Sequence, residues 1–155
     1  MNLTKLKIKP SETEIHYGVQ AINGNKDTVF KSWDRQSPEF LSCLQTLKPY
    51  LLDVLELGAD YGEGLSITGI TLRQENPDGE DIANYGLVIS AVKSLTNSAA
   101  PLCLNTPYIP PYRNENTNTI TDDDLAMEIN RIIGFCERFI AGQERAQGDL
   151  FGAKK

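Results

Sequence analysis

A chain of 155 residues, 40% hydrophobic and 23% charged, is long enough to bury one hydrophobic core, which excludes wholesale disorder. Its formal charge of −6 excludes broad attachment to phosphate backbones, which needs clustered Lys and Arg. "MNLTKLKIKPSE" lacks the apolar segment of a secretion signal and no run nears the ~18 residues of a membrane helix, so a cytoplasmic protein without a membrane partner is expected.

In chain order, "NLTKLKIKP" alternates apolar Leu3, Leu6 and Ile8 with polar residues and stops at Pro10, the pattern of a strand with one face buried. "TEIHYGVQAI" and "DTVFKSW" follow, separated by "NGN", and read as a hairpin. At "SPEFLSCLQTLK" the period changes. Ser37 suits an N-cap, Pro38 the first helical position, and Phe40, Leu44 and Leu47 recur at helical spacing. Pro49 disfavours helical geometry at Lys48, so the expected helix ends there and "YLLDVLELG" is extended, with a kinked continuation as the rival. "GLSITGITLRQE" and "NYGLVISAVKSL", joined through "NPDGED", predict a second hairpin. "LCLNTPYIPPY" begins as a short strand and ends Pro-rich, and "RNENTNTITDD" reads as a solvated loop.

The last helix is the clearest element, because Leu125, Ile129, Ile132, Ile133, Cys136, Phe139 and Ile140 fall on one face. Thr121 suits its cap, and Asp122, Asp123 and Asp124 favour the positive end of its dipole. The expected fold is therefore α+β: a largely antiparallel sheet of six to seven strands against two helices, compatible with two β-rich-plus-helix halves. The expected organisation is a single globular domain over 1–142 and a flexible tail over 143–155, because "QERAQG" has no apolar stripe.

Candidates for chemistry are few. His16 is the only histidine and sits in a strand facing away from Ile15 and Tyr17, with no Ser or Cys motif to make it a nucleophile's partner. Three consecutive aspartates at 122–124 point about 100° apart on a helix and do not converge on one ion, so helix capping explains them and no metal is expected. Glycines 58, 62, 64 and 69 form no phosphate-binding signature, and no cofactor is expected. Cys43, Cys103 and Cys136 each lie in an apolar stretch and read as buried thiols of a reducing compartment. Lys5, Lys7 and Lys9 share one strand face, a solvated edge or a contact for a nucleic-acid phosphate chain or an acidic protein. Trp33, Tyr85, Tyr108 and Tyr112 could stack bases, although no basic groove accompanies them, and "YIPPY" at 108–112 reads equally as a partner contact or a cover over the sheet.

Gln147, Gly148, Asp149, Leu150 and Phe151 resemble the pentapeptide by which many bacterial and phage proteins bind the replicative sliding clamp: Gln, a small or aliphatic residue, Asp or Ser, Leu, Phe. The resemblance implies a partner-binding set of Gln147, Asp149, Leu150 and Phe151, in which Gln147 hydrogen-bonds at a pocket rim while Leu150 and Phe151 anchor in an apolar cleft. Gly148 stands where leucine is common, which removes one contact. In this order, "PEFLSCLQTLKPYLLDVLEL", "SITGITL", "APLCLNTPYIP" and "ERAQGDLFG" are also similar to small uncharacterised bacteriophage and prophage proteins. The resemblance implies a non-enzymatic phage accessory protein of DNA replication or recombination that binds the host sliding clamp through its tail. The alternative is a counter-defence or regulatory protein that captures a host protein or a small signalling molecule with its sheet face or the "YIPPY" loop. A homo-oligomer is compatible with either.

Overall fold

The computed structural model describes residues 2–22, 24–75, 84–110 and 123–146. Three strands, β1 (Asn2–Lys9), β2 (Glu12–Ala21) and β3 (Gly24–Ser32), form an antiparallel meander. Helices α1 (Pro38–Gln45) and α2 (Lys48–Val54) follow, then a short 3₁₀ turn at Ala59–Gly62. A second meander, β4 (Leu65–Glu75), β5 (Asn84–Lys93) and β6 (Leu102–Asn105), leads to α3 (Asp123–Ile140). The strand order is β3-β2-β1-β4-β5-β6, so the first strand of each meander meets the other at the centre, antiparallel. Each half is thus a three-strand meander followed by helix, and the fold is α+β with one antiparallel sheet.

The helices cover one face only. Leu3, Leu6, Ile15, Ile67, Ile70, Leu87 and Ile89 point from the sheet into the core, meeting Phe40 and Leu44 of α1, Leu51 of α2, and Leu125, Ile129, Ile132, Cys136 and Phe139 of α3. Phe40 stacks on Phe135 with ring centres 5.4 Å apart and meets Phe139 edge-on at 5.8 Å, locking α1 to α3. The predicted apolar face of α3 is this buried face, with Ile133 and Ile140 at its margin.

One expected strand is helical. Pro49 stands in the first turn of α2, where its missing N–H has no helical acceptor to lose, so "KPYLLDV" winds on after a break at Thr46–Leu47. Glu56 then adopts a left-handed conformation (φ 58°), and the bonds Glu56 N–H to Asp53 O and Leu57 N–H to Leu52 O close the helix end. α3 ends the same way at Gly142 (φ 95°), with Gly142 N–H on Phe139 O and Gln143 N–H on Arg138 O.

The ordered body also runs past residue 142. Glu144 and Arg145 face Ser37 and Gln36: Ser37 N–H donates to Glu144 O at 2.8 Å, and Ala146 N–H donates to Arg35 O at 2.8 Å. The Glu144 carboxylate accepts from Ser37 Oγ and Arg138 Nε, while Ser37 Oγ accepts the Phe40 N–H as the α1 cap. Arg145 lies over the Phe139 ring at 4.9 Å, donates to Phe139 O and pairs with Asp34. Residues 143–146, expected in the tail, therefore belong to the domain. Among the described residues no helix is long and apolar enough to cross a membrane.

Candidate functional site

Alternation along the strands turns a second set of side chains onto the face the helices leave open. Cross-strand register aligns them in rows: Lys31, Glu14, Lys7, Gly69, Ser90 and Asn105 traverse all six strands, and Val29, His16, Lys5, Thr71 and Val88 form the next row. Over β1, β4, β5 and β6 this face is hollowed into a groove of about 680 Å³. Val88, Val92, Thr71 and Gly69 line its floor, Lys5, Lys7 and Lys9 one wall, and Ser90, Cys103 and Asn105 the other, with Pro10 and Pro101 also on its lining.

The hollow has a local cause. β4 carries a bulge between Ile67 and Gly69, which places one extra residue against β5. The Ile67 backbone is held from the helix side: Gln45 Nε2 donates to Ile67 O at 3.0 Å and Gln45 Oε1 accepts Ile67 N–H at 2.8 Å. At Gly69 the chain passes so near β1 that a Cβ would stand 2.3 Å from Leu6 O and 3.2 Å from Lys7 Cα. A residue with a side chain does not fit, and its absence opens the middle of the six-residue row.

Charge on this face is uneven. Glu14 is the hub beside the groove: its Oε2 lies 2.6 Å from His16 Nε2, its Oε1 lies 3.0 Å from Lys9 Nζ, and Lys31 Nζ stands at 3.9 Å. The His16 hydrogen bond, then that of Lys9, lowers the Glu14 carboxyl from 4.5 to about 2. Lys9 also reaches Glu12 at 3.3 Å, and these carboxylates raise its ammonium above the usual lysine value. Lys5 and Lys7, in contrast, have no acidic partner among the described residues, and both stand on the groove wall. Ser90 Oγ and Asn105 Oδ1 bond to one another at 2.6 Å opposite them.

The lysines singled out in the sequence therefore lie together, on a groove wall in the middle of the sheet rather than on a sheet edge. Base-stacking aromatics do not join them: none of Trp33, Tyr85 and Tyr108 lines the groove. Trp33 is exposed beyond β3, Tyr85 packs against the core, and Tyr108 meets Arg73. Tyr112 lies outside the described residues, as do Thr121 and Asp122 at the head of α3 and the tail residues Gln147, Asp149, Leu150 and Phe151.

Ile109 is fully buried and bridges Leu87, so the described part of "YIPPY" covers β5 beyond the end of β6. Cys43 and Cys136 are buried free thiols, and burial pushes both thiols up. Cys103, expected to be buried as well, is exposed, because β6 is a short edge strand whose odd position opens onto the groove. Among the described residues no three His, Cys, Asp or Glu side chains gather as metal ligands.

Thr71, Val88, Ser90, Val92 and Asn105 were not marked by sequence reasoning. The available signal was the outward register of β5, Gly86, Val88, Ser90 and Val92, which is small and uncharged where a solvated face would carry charge. The arrangement offers two ammonium groups without an acidic partner among the described residues, a hydroxyl, an amide and an apolar floor within one concavity. No family model matches this chain, and neither a curated protein nor a solved structure is found to be similar to it.

Proposed function

We propose that this chain is a binding protein without catalytic machinery, whose open sheet face takes a small anionic molecule with an apolar body. One observation carries the reading: Lys5 and Lys7, without ion-pair partners among the described residues, overlook an apolar floor that also offers Ser90 and Asn105. A phosphate or carboxylate would neutralise the two ammonium groups. The rest of the ligand would cover Val88 and Val92, with Ser90 and Asn105 fixing its orientation. This is the chemistry of a phosphorylated signalling molecule rather than of a nucleic-acid strand, since a strand needs stacking platforms and a longer basic track.

Nucleoside mono- and diphosphates are suitable probes. Binding at 100 times Kd stabilises the fold by about 2.7 kcal/mol, which a melting curve reads directly. The stabilisation should vanish in Ser90→Trp, which fills the groove, and in the double variant Lys5→Gln with Lys7→Gln. Absence of stabilisation by any of these probes at millimolar concentration would argue against the reading.

A second reading rests on the C-terminal pentapeptide and makes the chain a phage accessory protein of replication or recombination. Gln147, Asp149, Leu150 and Phe151 would engage the host sliding clamp, and two buried apolar anchors support binding of about micromolar strength. Gln147 directly follows Ala146, whose N–H is bonded to Arg35, so the folded domain would sit close against the clamp. Removal of residues 147–155 leaves the Glu144 and Arg145 contacts in place. The shortened chain should melt as the full chain does and lose clamp binding; retention of the clamp would refute this role.

A further inference from the structure

β3 is a sheet edge with β2 as its neighbour on the other side. The β2–β3 hairpin turns through two residues, which makes Ala21 and Gly24 its closing hydrogen-bonded pair. Bonded and non-bonded pairs alternate along an antiparallel ladder. The backbone N–H and C=O groups of Asn25, Asp27, Val29 and Lys31 therefore face away from β2, toward the open edge. Such a row is a template for another strand unless it is defended by unmatched charge, proline or a bulge. Neither proline nor a bulge defends β3, whose register with β2 is unbroken from Thr13↔Ser32 to Ala21↔Gly24, and the charges on its outward-bonding positions, Asp27 and Lys31, are opposite in sign, so they match rather than repel across a two-fold axis.

We infer that this edge pairs with a second copy of the chain, β3 against β3, antiparallel, with Val29 opposite Val29. The side chains select both occupant and register. Only the residues whose backbone faces outward can bond across a two-fold axis, so possible registers step by two. Centring on Val29 sets Asp27 of each copy opposite Lys31 of the other, giving two cross-strand ion pairs around a Val–Val contact. A shift of two sets one charge opposite valine, and a shift of four sets Asp27 opposite Asp27 or Lys31 opposite Lys31.

Other features of the edge agree. Asp27 has no cationic partner among the described residues, and Lys31 has only the 3.9 Å approach to Glu14. Val29 is 49% exposed, Trp33 is 85% exposed and Ile22 is fully exposed. In the proposed register Trp33 of one copy falls opposite Asn25 of the other, next to the turn that bears Ile22. Residues directly opposite in an antiparallel pair point to the same face. The two open faces, each with its groove, therefore lie on one side of a continuous sheet and all the helices on the other.

Sedimentation of the full chain from about 1 to about 100 μM tests the pairing. The expected result is a rise from the 17.2 kDa monomer toward twice that mass. A monomer at the highest concentration overturns the inference. Val29→Pro removes an N–H that β2 does not use, so it should retain the fold by circular dichroism and abolish the dimer; a folded variant that still dimerises overturns the inference. Asp27→Lys should weaken the dimer about tenfold or more, and adding Lys31→Asp should restore it to within about threefold of the parent. Failure of that exchange to restore it counts against the register, whatever Val29→Pro does to folding.

Discussion

The two faces of the sheet are written by one alternation and do opposite work. On the covered face Leu6, Ile70, Leu87 and Ile89 meet three helices and are almost wholly buried. On the open face the intervening positions, Lys7, Gly69, Val88 and Ser90, have no helix over them among the described residues and line a groove. The difference teaches that the groove is a product of the core. The bulge that sinks Gly69 toward β1 is fastened by Gln45 from α1, so the shape of the binding face is set from the helix side. Truncation should therefore cost stability on one face and binding on the other.

The largest effect is expected where the covered face is deepest. Phe139→Ala removes a fully buried ring that contacts Phe30, Phe40 and Arg145, and should lower unfolding stability by about 3–5 kcal/mol in urea titration. Val88→Ala on the groove floor should change it by about 0.5 kcal/mol or less. Comparable losses at both sites would mean that the open face is also part of the core.

Gly69→Ala joins the two faces and comes next. Its Cβ would strike the Leu6 carbonyl, a backbone atom that moves only with the β1–β4 pairing, and about 2–3 kcal/mol should be lost. Because the same pairing shapes the groove, this variant should lose ligand stabilisation as well. The outcome that breaks the comparison is a fully stable Gly69→Ala protein that binds as the parent does.

The smallest effect is the acid response of the open face. The Glu14 carboxyl titrates at about 2 when folded, against 4.5 for a free side chain, so the folded chain holds fewer protons than the unfolded chain between these values. The stabilisation from Glu14 is thus complete above pH 4.5 and is lost as the pH falls toward 2. Glu14→Gln should flatten this part of the pH dependence, seen as a smaller drop in urea midpoint across the same window. Identical slopes for the two proteins would remove Glu14 from the account.

Much of the fold was legible in the residues because burial on one face imposes a period that sequence displays. The six strands, both hairpins and the α3 stripe from Leu125 to Ile140 follow from it. α2 was not, since Pro49 is forbidding inside a helix and harmless in its first turn, and only the Leu47–Lys48 backbone decides between these. Arg145 was missed for another reason: it is held by backbone pairing with Gln36 and by lying on Phe139, neither of which leaves an apolar stripe. The lysines of the groove could be seen on β1, but not their partners. The extra residue in β4 changes which side chains share a face, and Thr68–Gly69 carries little local mark of it beyond the glycine. Cys103 was read from its apolar neighbours Leu102 and Leu104, whereas β6 is an edge strand and lends burial to one side only.

The central claim, that a small anion enters the open face, is tested most directly by mapping amide chemical shifts during titration with a nucleoside diphosphate. The account predicts saturable shifts at Lys5, Lys7, Gly69, Val88, Ser90 and Asn105, with little change at Leu44 and Ile132 beneath the helices. Shifts confined to the helical side, or none at any of these positions up to saturating ligand, would contradict it.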